Sequence, residues 1–277
     1  MQSAPSRFEP LWSELDTIEG KAVTAIAKQI AAFELPVRLC FEAGCLAPTL
    51  EGQRRGTIDL SITGMFLKRV LTDLRTIWLL LVRGYTTQAG SLAATLFENA
   101  LVVAVVAGNE ARAKEIRKAD GIPWSTQELT KMQAAIWTKD AIERGQPYTK
   151  KEQAEAWQLT YFQYKWMCQL KHPSPQTVKH DASATLVDDK NFAVVVLPDV
   201  RKENLSVKIA LLGSTLHRAI EAIKRFALAM SCDKEHAKYK RFEELLSVAT
   251  AGLGDAMKAA GIKNNPIQVF DRRFMSS

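Results

Sequence analysis

ITGMFLKRVLTDLRTIWLLLVRGYTTQAGSLAATLFENALVVAVVA, Ile62 to Ala107, is the stretch that decides the fold. Ile62, Phe66, Val70, Leu74, Ile77 and Leu81 recur close to the 3.6-residue period, which predicts a helix with one apolar stripe. Gly84 is placed to end that helix in a left-handed cap. A second helix, from about Thr86 to Ala107, follows after a tight turn and is apolar nearly all round, as only a core helix or a membrane span is. Glu98 in its middle, with Asn99 beside it, separates the two readings. A span would place a costly carboxylate in lipid, so the expectation is a core helix and no membrane association.

Outward from this pair the helical pattern continues. Leu15, Ile18, Val23, Ile26, Ile30 and Phe33 predict a first helix from Leu11 to Phe33 that Pro36 ends or kinks. VRLCFEAGCLA is a shorter apolar segment, and TLEGQRRGT reads as a loop with an exposed Arg54 and Arg55 pair. Downstream, GNEARAKEIRKADG predicts a short charged helix. The next begins at Ser125 or Thr126 as a cap, with Glu128 in its first turn. KKEQAEAWQLTYFQYKWMCQLK predicts about six helical turns, stopped at His172 because Pro173 disfavours helical geometry there. NFAVVVLPDV is strand-like, rich in β-branched residues and closed by Pro198 and Asp199. A lone strand forms no sheet, so it reads as an extended segment. Two more helices follow, the last with a break expected at Gly252 and Gly254, and then a loosely held tail in which Val269, Phe270 and Phe274 are candidates for docking.

The fold class is therefore all-α: an antiparallel bundle of about eight helices with one short extended segment. The division expected along the chain is an N-terminal helical segment at 1–57, a helical domain at 58–262 containing the strand-like 191–200, and a C-terminal tail at 263–277. At 277 residues the chain buries roughly 75% of its unfolded surface, enough for a core without disulfide or metal support. Cys40, Cys45, Cys168 and Cys232 are scattered, with no second pair to complete a zinc site, so no metal and no cofactor are expected. Reduced thiols, and an N-terminus without a secretory pattern, predict a cytoplasmic location. A net charge of +7 favours anionic partners without naming one.

The chemistry gathers near the proline-bracketed end of the long helix. Lys165, Cys168 and His172 stand at i, i+3 and i+7 and share one face over two turns, with Tyr161 one turn earlier. An imidazole moves protons near neutrality, and a neighbouring ammonium stabilises charge on phosphate. His172 reads first as a helix-terminal residue that suits the dipole, and after that as a phosphate contact or a catalytic group. Lys171, Lys179 and His180 extend the basic surface as candidate ligand contacts. Glu98 needs a cation or several donors, because an unpaired buried carboxylate costs several kcal/mol. Arg69, Arg75 and Lys165 are the candidate cations. GLGD at Gly252 to Asp255 lacks the strand and lysine of a phosphate loop, and neither a nucleophile elbow nor an HExxH motif is present.

KRVLTDLRTIWLLLVRGYTTQAGSLAATLFENAL, with Asp73, Leu80, Gly84, Ala89, Leu92 and Glu98, then WMCQLKHPS and VVVLPD downstream, resembles a group of bacterial helical proteins related to the HEPN superfamily. The likeness covers about Ile58 to Asp199. It implies an antiparallel HEPN-like bundle, often paired with a second copy, and in active members a metal-independent ribonuclease. Those members carry an arginine, four to six residues, then a histidine. His172 matches the histidine, whereas Lys165, seven residues before it, stands where an arginine would. Lysine keeps the charge but gives up the planar fork that grips phosphate in two directions.

What the resemblance implies for function is a protein that engages RNA or another phosphate-bearing ligand such as a nucleotide, with ribonuclease action in a bacterial toxin or antiphage defence system. In that role His172 would handle the proton, Lys165 would steady the phosphate and Glu98 would orient a cation, with Arg69, Arg75, Tyr161, Lys171, Lys179 and His180 as ligand contacts. The alternative is a non-catalytic scaffold, sensor or regulatory subunit. The partners expected are RNA or a nucleotide, a second copy of the chain, and a protein encoded nearby.

Overall fold

In the computed structural model, which describes residues 9–146, 149–172 and 198–261, the chain is all-α. Among the described residues there are nine α-helices: α1 (Glu9–Gln29), α2 (Glu34–Leu46), α3 (Ile58–Val82), α4 (Thr86–Val106), α5 (Glu110–Ala119), α6 (Thr126–Glu143), α7 (Lys150–Lys171), α8 (Leu205–Ala229) and α9 (Ala237–Ala259). The described residues contain no strand, only an isolated bridge between Gly52 and Cys232. Most of the strand-like run, 191–197, and the tail 263–277 lie outside the described residues. Pro198 to Val200 have no regular structure.

The α3–α4 turn forms as its sequence predicts. Gly84 adopts φ +85, and its N–H donates to the Leu81 carbonyl at 3.0 Å while the Tyr85 N–H reaches back to Leu80 at 2.9 Å. This paired bonding satisfies the last carbonyls of α3, and only glycine takes the conformation without strain. The same glycine is a docking point. Asp199 donates its N–H to the Gly84 carbonyl at 3.0 Å, and a side chain at position 84 would meet Pro198 at 2.8 Å.

The turn places α4 at the centre. It packs on α3, α6, α7 and α8, and Ala93, Leu96, Phe97, Leu101 and Val103 are fully enclosed. Although α4 is long and apolar enough to cross a membrane, 78% of its most apolar window is covered by the rest of the protein. That is the position of a core helix rather than a lipid-facing one. Each enclosed Leu, Val or Phe contributes about 1.5–3 kcal/mol of burial. One apolar cluster runs from Ala22 on α1 to Met257 on α9, so the helices before residue 57 share the core of those after it.

Three local expectations are corrected. The first helix ends at Gln29, and a short 3-10 turn, Ala31–Phe33, separates it from α2. Pro36 then lies in the first turn of α2, where its missing N–H costs nothing, so it begins a helix instead of ending one. α9 runs unbroken through Gly252 and Gly254. Gly252 faces α2, where an added Cβ would stand 2.8 Å from Cγ of Pro36, so it permits close packing rather than a break.

The third correction concerns Arg54, expected to be exposed. It is half-buried and donates to both carboxylate oxygens of Asp59 at 3.1 and 3.2 Å. Asp59 is fully enclosed and also accepts the Gly108 N–H at 2.8 Å. Burial raises its affinity for a proton, but hydrogen bonds from Thr57 and Gly108 and the Arg54 charge outweigh that and hold the carboxyl below its ordinary range. The network clamps the start of α3 to the end of α4.

Candidate functional site

The position of α7 is fixed by its inner face, on which Thr160, Gln163, Met167 and Leu170 are buried against α4 and α6. Leu170 seats against Gly90, where an added Cβ would stand 2.7 Å from its Cδ1. Thr149 caps the helix reciprocally with Glu152 at the other end. Halfway along, the Tyr164 hydroxyl donates to Oε1 of Glu98 at 2.5 Å. The Tyr164 ring packs on Phe97 with centroids 5.8 Å apart and stacks on Tyr161 at 6.1 Å.

This settles the partner of Glu98 differently from the sequence expectation. Among the described residues its hydrogen bond comes from a phenol, and Arg69, Arg75 and Lys165 make no ion pair with it. The geometry explains why. Successive residues on a helix point about 100° apart, so Glu98 faces α7 while Asn99 faces α3 and donates to Asp73 at 3.5 Å. Arg69 is exposed on α3 beside Asp73, whose carboxyl burial pushes above its usual value against the pull of Asn99 and Arg69. Arg75 faces α2, lining a small cavity with Trp78 and Phe41.

What the structure does bring together is the α7 face itself. Lys165, Lys171 and His172 are exposed, and Tyr161 and Cys168 are half-buried beside them. His172 is the residue at which the helix stops, with φ −98 and ψ 151, and its N–H closes on the Cys168 carbonyl at 3.0 Å. The seven-residue spacing puts Lys165 and His172 about 10 Å apart along the axis, a span suited to neighbouring groups of one strand rather than to a single atom. Burial first, and then bonds to Cys168 and Glu98, raise the Tyr164 phenol well above its ordinary value. It remains a donor and positions the helix. Lys179 and His180 lie outside the described residues. Among the described residues no three His, Cys, Asp or Glu side chains gather as a metal would require.

Sequence reasoning missed an interior cation. Arg218 on α8 is 1% exposed, lies over the rings of Phe97 and Trp137 at 5.1 and 5.5 Å, and donates from Nη1 to Gln133 at 3.1 Å. Trp137 in turn donates to Glu221 at 2.9 Å. Burial lowers the affinity of Arg218 for its proton, to about 10, with Glu221 opposing. The neighbouring His217 is pushed down to about 4, by burial and then by the Arg218 charge, against the pull of Glu221. A His-Arg pair set inside the apolar run IALLGSTLHRAIEAI was the available signal.

Compared with protein-family models, with curated proteins and with solved structures, the chain matches none.

Proposed function

We propose that the chain is a HEPN-like cytoplasmic protein that engages RNA, or another phosphate-bearing ligand, on the exposed face of α7. The observation that carries this reading is that Lys165 on that face, and Lys171 about 120° round the helix at its end, both reach solvent and neither is paired with a carboxylate among the described residues. Some other surface lysines are drawn into pairs, as Lys139 is with Glu143 and Lys151 with Glu155. Unpaired ammonium groups that neutralise phosphates release the counterions condensed on the nucleic acid, which drives binding.

Cleavage is the catalytic extension of that binding. His172 takes the proton of a ribose 2′-hydroxyl as that oxygen attacks phosphorus, the 5′-oxygen leaves with a proton from water, and Lys165 holds the neighbouring phosphate of the strand in place. Glu98 contributes by holding Tyr164 and so the helix, and not by orienting a cation. The setting that suits such an activity is a bacterial toxin or antiphage defence system, with the chain acting as a homo-oligomer or beside a protein encoded nearby. The second reading is a non-catalytic scaffold or sensor, favoured by the lysine that stands where the active pattern has arginine and by exposed Trp12 and Met65, which offer apolar surface to a partner.

Incubation of the purified protein with mixed RNA in chelator tests both. Cleavage that disappears in His172→Ala supports the ribonuclease, RNA bound but intact supports the scaffold or sensor, and RNA neither bound nor cut contradicts the assignment of the α7 face.

A further inference from the structure

A second face of the bundle gathers polar and aromatic groups that the core does not use. Glu34, Val37, Arg38 and Phe41 stand at i, i+3, i+4 and i+7 on α2 and so share one side of that helix, and Arg75 and Trp78, one turn apart, meet them from α3. Between them lies a cavity of about 240 Å³. Val37 is buried beneath it, Phe41 and Trp78 are half-buried against the core, and Glu34, Arg38 and Arg75 are exposed around it. Arg75 has no ion pair among the described residues. Arg38 makes only a 3.8 Å contact with the exposed Glu42, too loose and too wet to hold it.

Each candidate ligand chemistry meets a different part of this set. A bare anion would use the two guanidiniums, leave the rings idle and be repelled by Glu34. An aliphatic molecule would use the rings and strand the charges. A flat nitrogen ring that carries a phosphate uses everything: the π faces stack it, the guanidiniums grip the phosphate oxygens, and a carboxylate accepts an N–H from the ring edge. The volume is below the roughly 300–1,000 Å³ of pockets that enclose a whole ligand, so it admits the ring and leaves sugar and phosphate at the rim.

We propose that the α2–α3 cavity is a nucleotide subsite, in which Phe41 and Trp78 stack the base, Arg38 and Arg75 hold the phosphate and Glu34 contacts the base edge. The nucleotide is either free or one residue of an RNA strand. The site is distinct from the α7 face, because α7 packs on α4 and α6 while this cavity is built by α2 and α3. It therefore stands or falls separately from the function proposed above.

Titration calorimetry of the full chain with nucleoside 5′-monophosphates, the matching nucleosides, inorganic phosphate and a short single-stranded RNA tests the subsite. The variants are Arg75→Ala, Arg75→Lys, Trp78→Leu, Trp78→Phe and Lys165→Ala, each checked for an unchanged thermal transition; Trp78→Phe and Arg75→Lys keep the probe meaningful if a harsher variant unfolds. The expected result is binding of monophosphates that weakens at least tenfold in Arg75→Ala and in Trp78→Leu, and weakens less in Arg75→Lys and Trp78→Phe. Nucleosides and phosphate alone bind at least tenfold more weakly. Binding of the oligonucleotide but not of monophosphates, with the same sensitivity to Arg75 and Trp78, identifies the strand as the source. The subsite is overturned if nucleotides and RNA both fail to bind, or if binding survives Arg75→Ala and Trp78→Leu. Oligonucleotide binding lost only in Lys165→Ala overturns it while leaving the α7 reading intact.

Discussion

The hydroxyl of Tyr164 donates to the carboxylate of Glu98 across 2.5 Å, and this bond joins the middle of α7 to the middle of the central helix. An acidic group in an apolar helix thus finds a neutral donor rather than a cation. The consequence is directional, because a phenol on α7 fixes that helix against α4 and leaves Lys165 unpaired on the outside. Tyr164→Phe leaves Glu98 half-buried without this donor and is expected to cost about 1–3 kcal/mol in urea unfolding. Glu98→Gln keeps an acceptor and costs less. Tyr161→Leu, which removes a stacked ring but no hydroxyl bond to Glu98, serves as the comparison, and equal losses in all three would contradict the role given to the bond.

Gly252 and Gly254 sit two residues apart on α9 and are expected to respond with opposite sign. Alanine at 254 meets nothing within 4 Å and gains helix propensity, so Gly254→Ala raises stability by about 0.5–1 kcal/mol. Alanine at 252 has the same propensity gain but meets the rigid Pro36 ring at 2.8 Å, so the overpacking cost of about 1–3 kcal/mol prevails. Thermal melts of the two variants decide this, and a rise in both would mean that α2 and α9 are not in close contact.

The arginines at 54 and 55 differ in the same way. Arg54→Ala removes the cation from a fully enclosed Asp59 and is expected to cost about 2–4 kcal/mol, less than a wholly buried pair because Arg54 retains some solvent contact. Arg55→Ala, at an exposed position, stays within about 0.5 kcal/mol of the wild type. Denaturant midpoints for the pair supply the comparison.

His217 makes part of the stability depend on pH. Its folded pKa near 4 lies below the ordinary 6.5, so the unfolded chain binds a proton that the native state refuses. The contribution is complete above about pH 6.5 and is lost as the pH falls from there toward 4, by an amount on the order of 2–3 kcal/mol. His217→Gln is expected to flatten the decline of stability over that window while leaving steeper losses at lower pH, where Asp199, held near 2 by Arg201 and Asn204 against its burial, takes a proton. An identical pH profile in the variant would show that the half-buried imidazole is not held neutral by its surroundings.

The all-α class and the Gly84 turn were legible because each rests on local rules, a 3.6-residue stripe and a left-handed cap. So was the stop of α7 before Pro173. The status of Pro36 and Gly252 was not legible, since each residue breaks a helix on average: Pro36 is tolerated because it falls in the first turn of α2, and Gly252 lets α9 approach Pro36 closely. The site was half legible. Spacing placed Lys165 and His172 on one face, but whether Glu98 turns to a cation or to Tyr164 depends on which helix packs against each side of α4. The interior Arg218 was hidden for the same reason, because its ring neighbours Phe97 and Trp137 come from two other helices.

The salt dependence of RNA binding tests the central claim, the basic face of α7, most directly. Binding constants of a single-stranded RNA measured across a range of salt give a slope that counts the phosphates neutralised. Lys165→Ala and Lys171→Ala are each expected to weaken binding for all sequences and to reduce that slope by about 1, with the double variant losing about 2. A slope and affinity unchanged in the double variant would contradict the account.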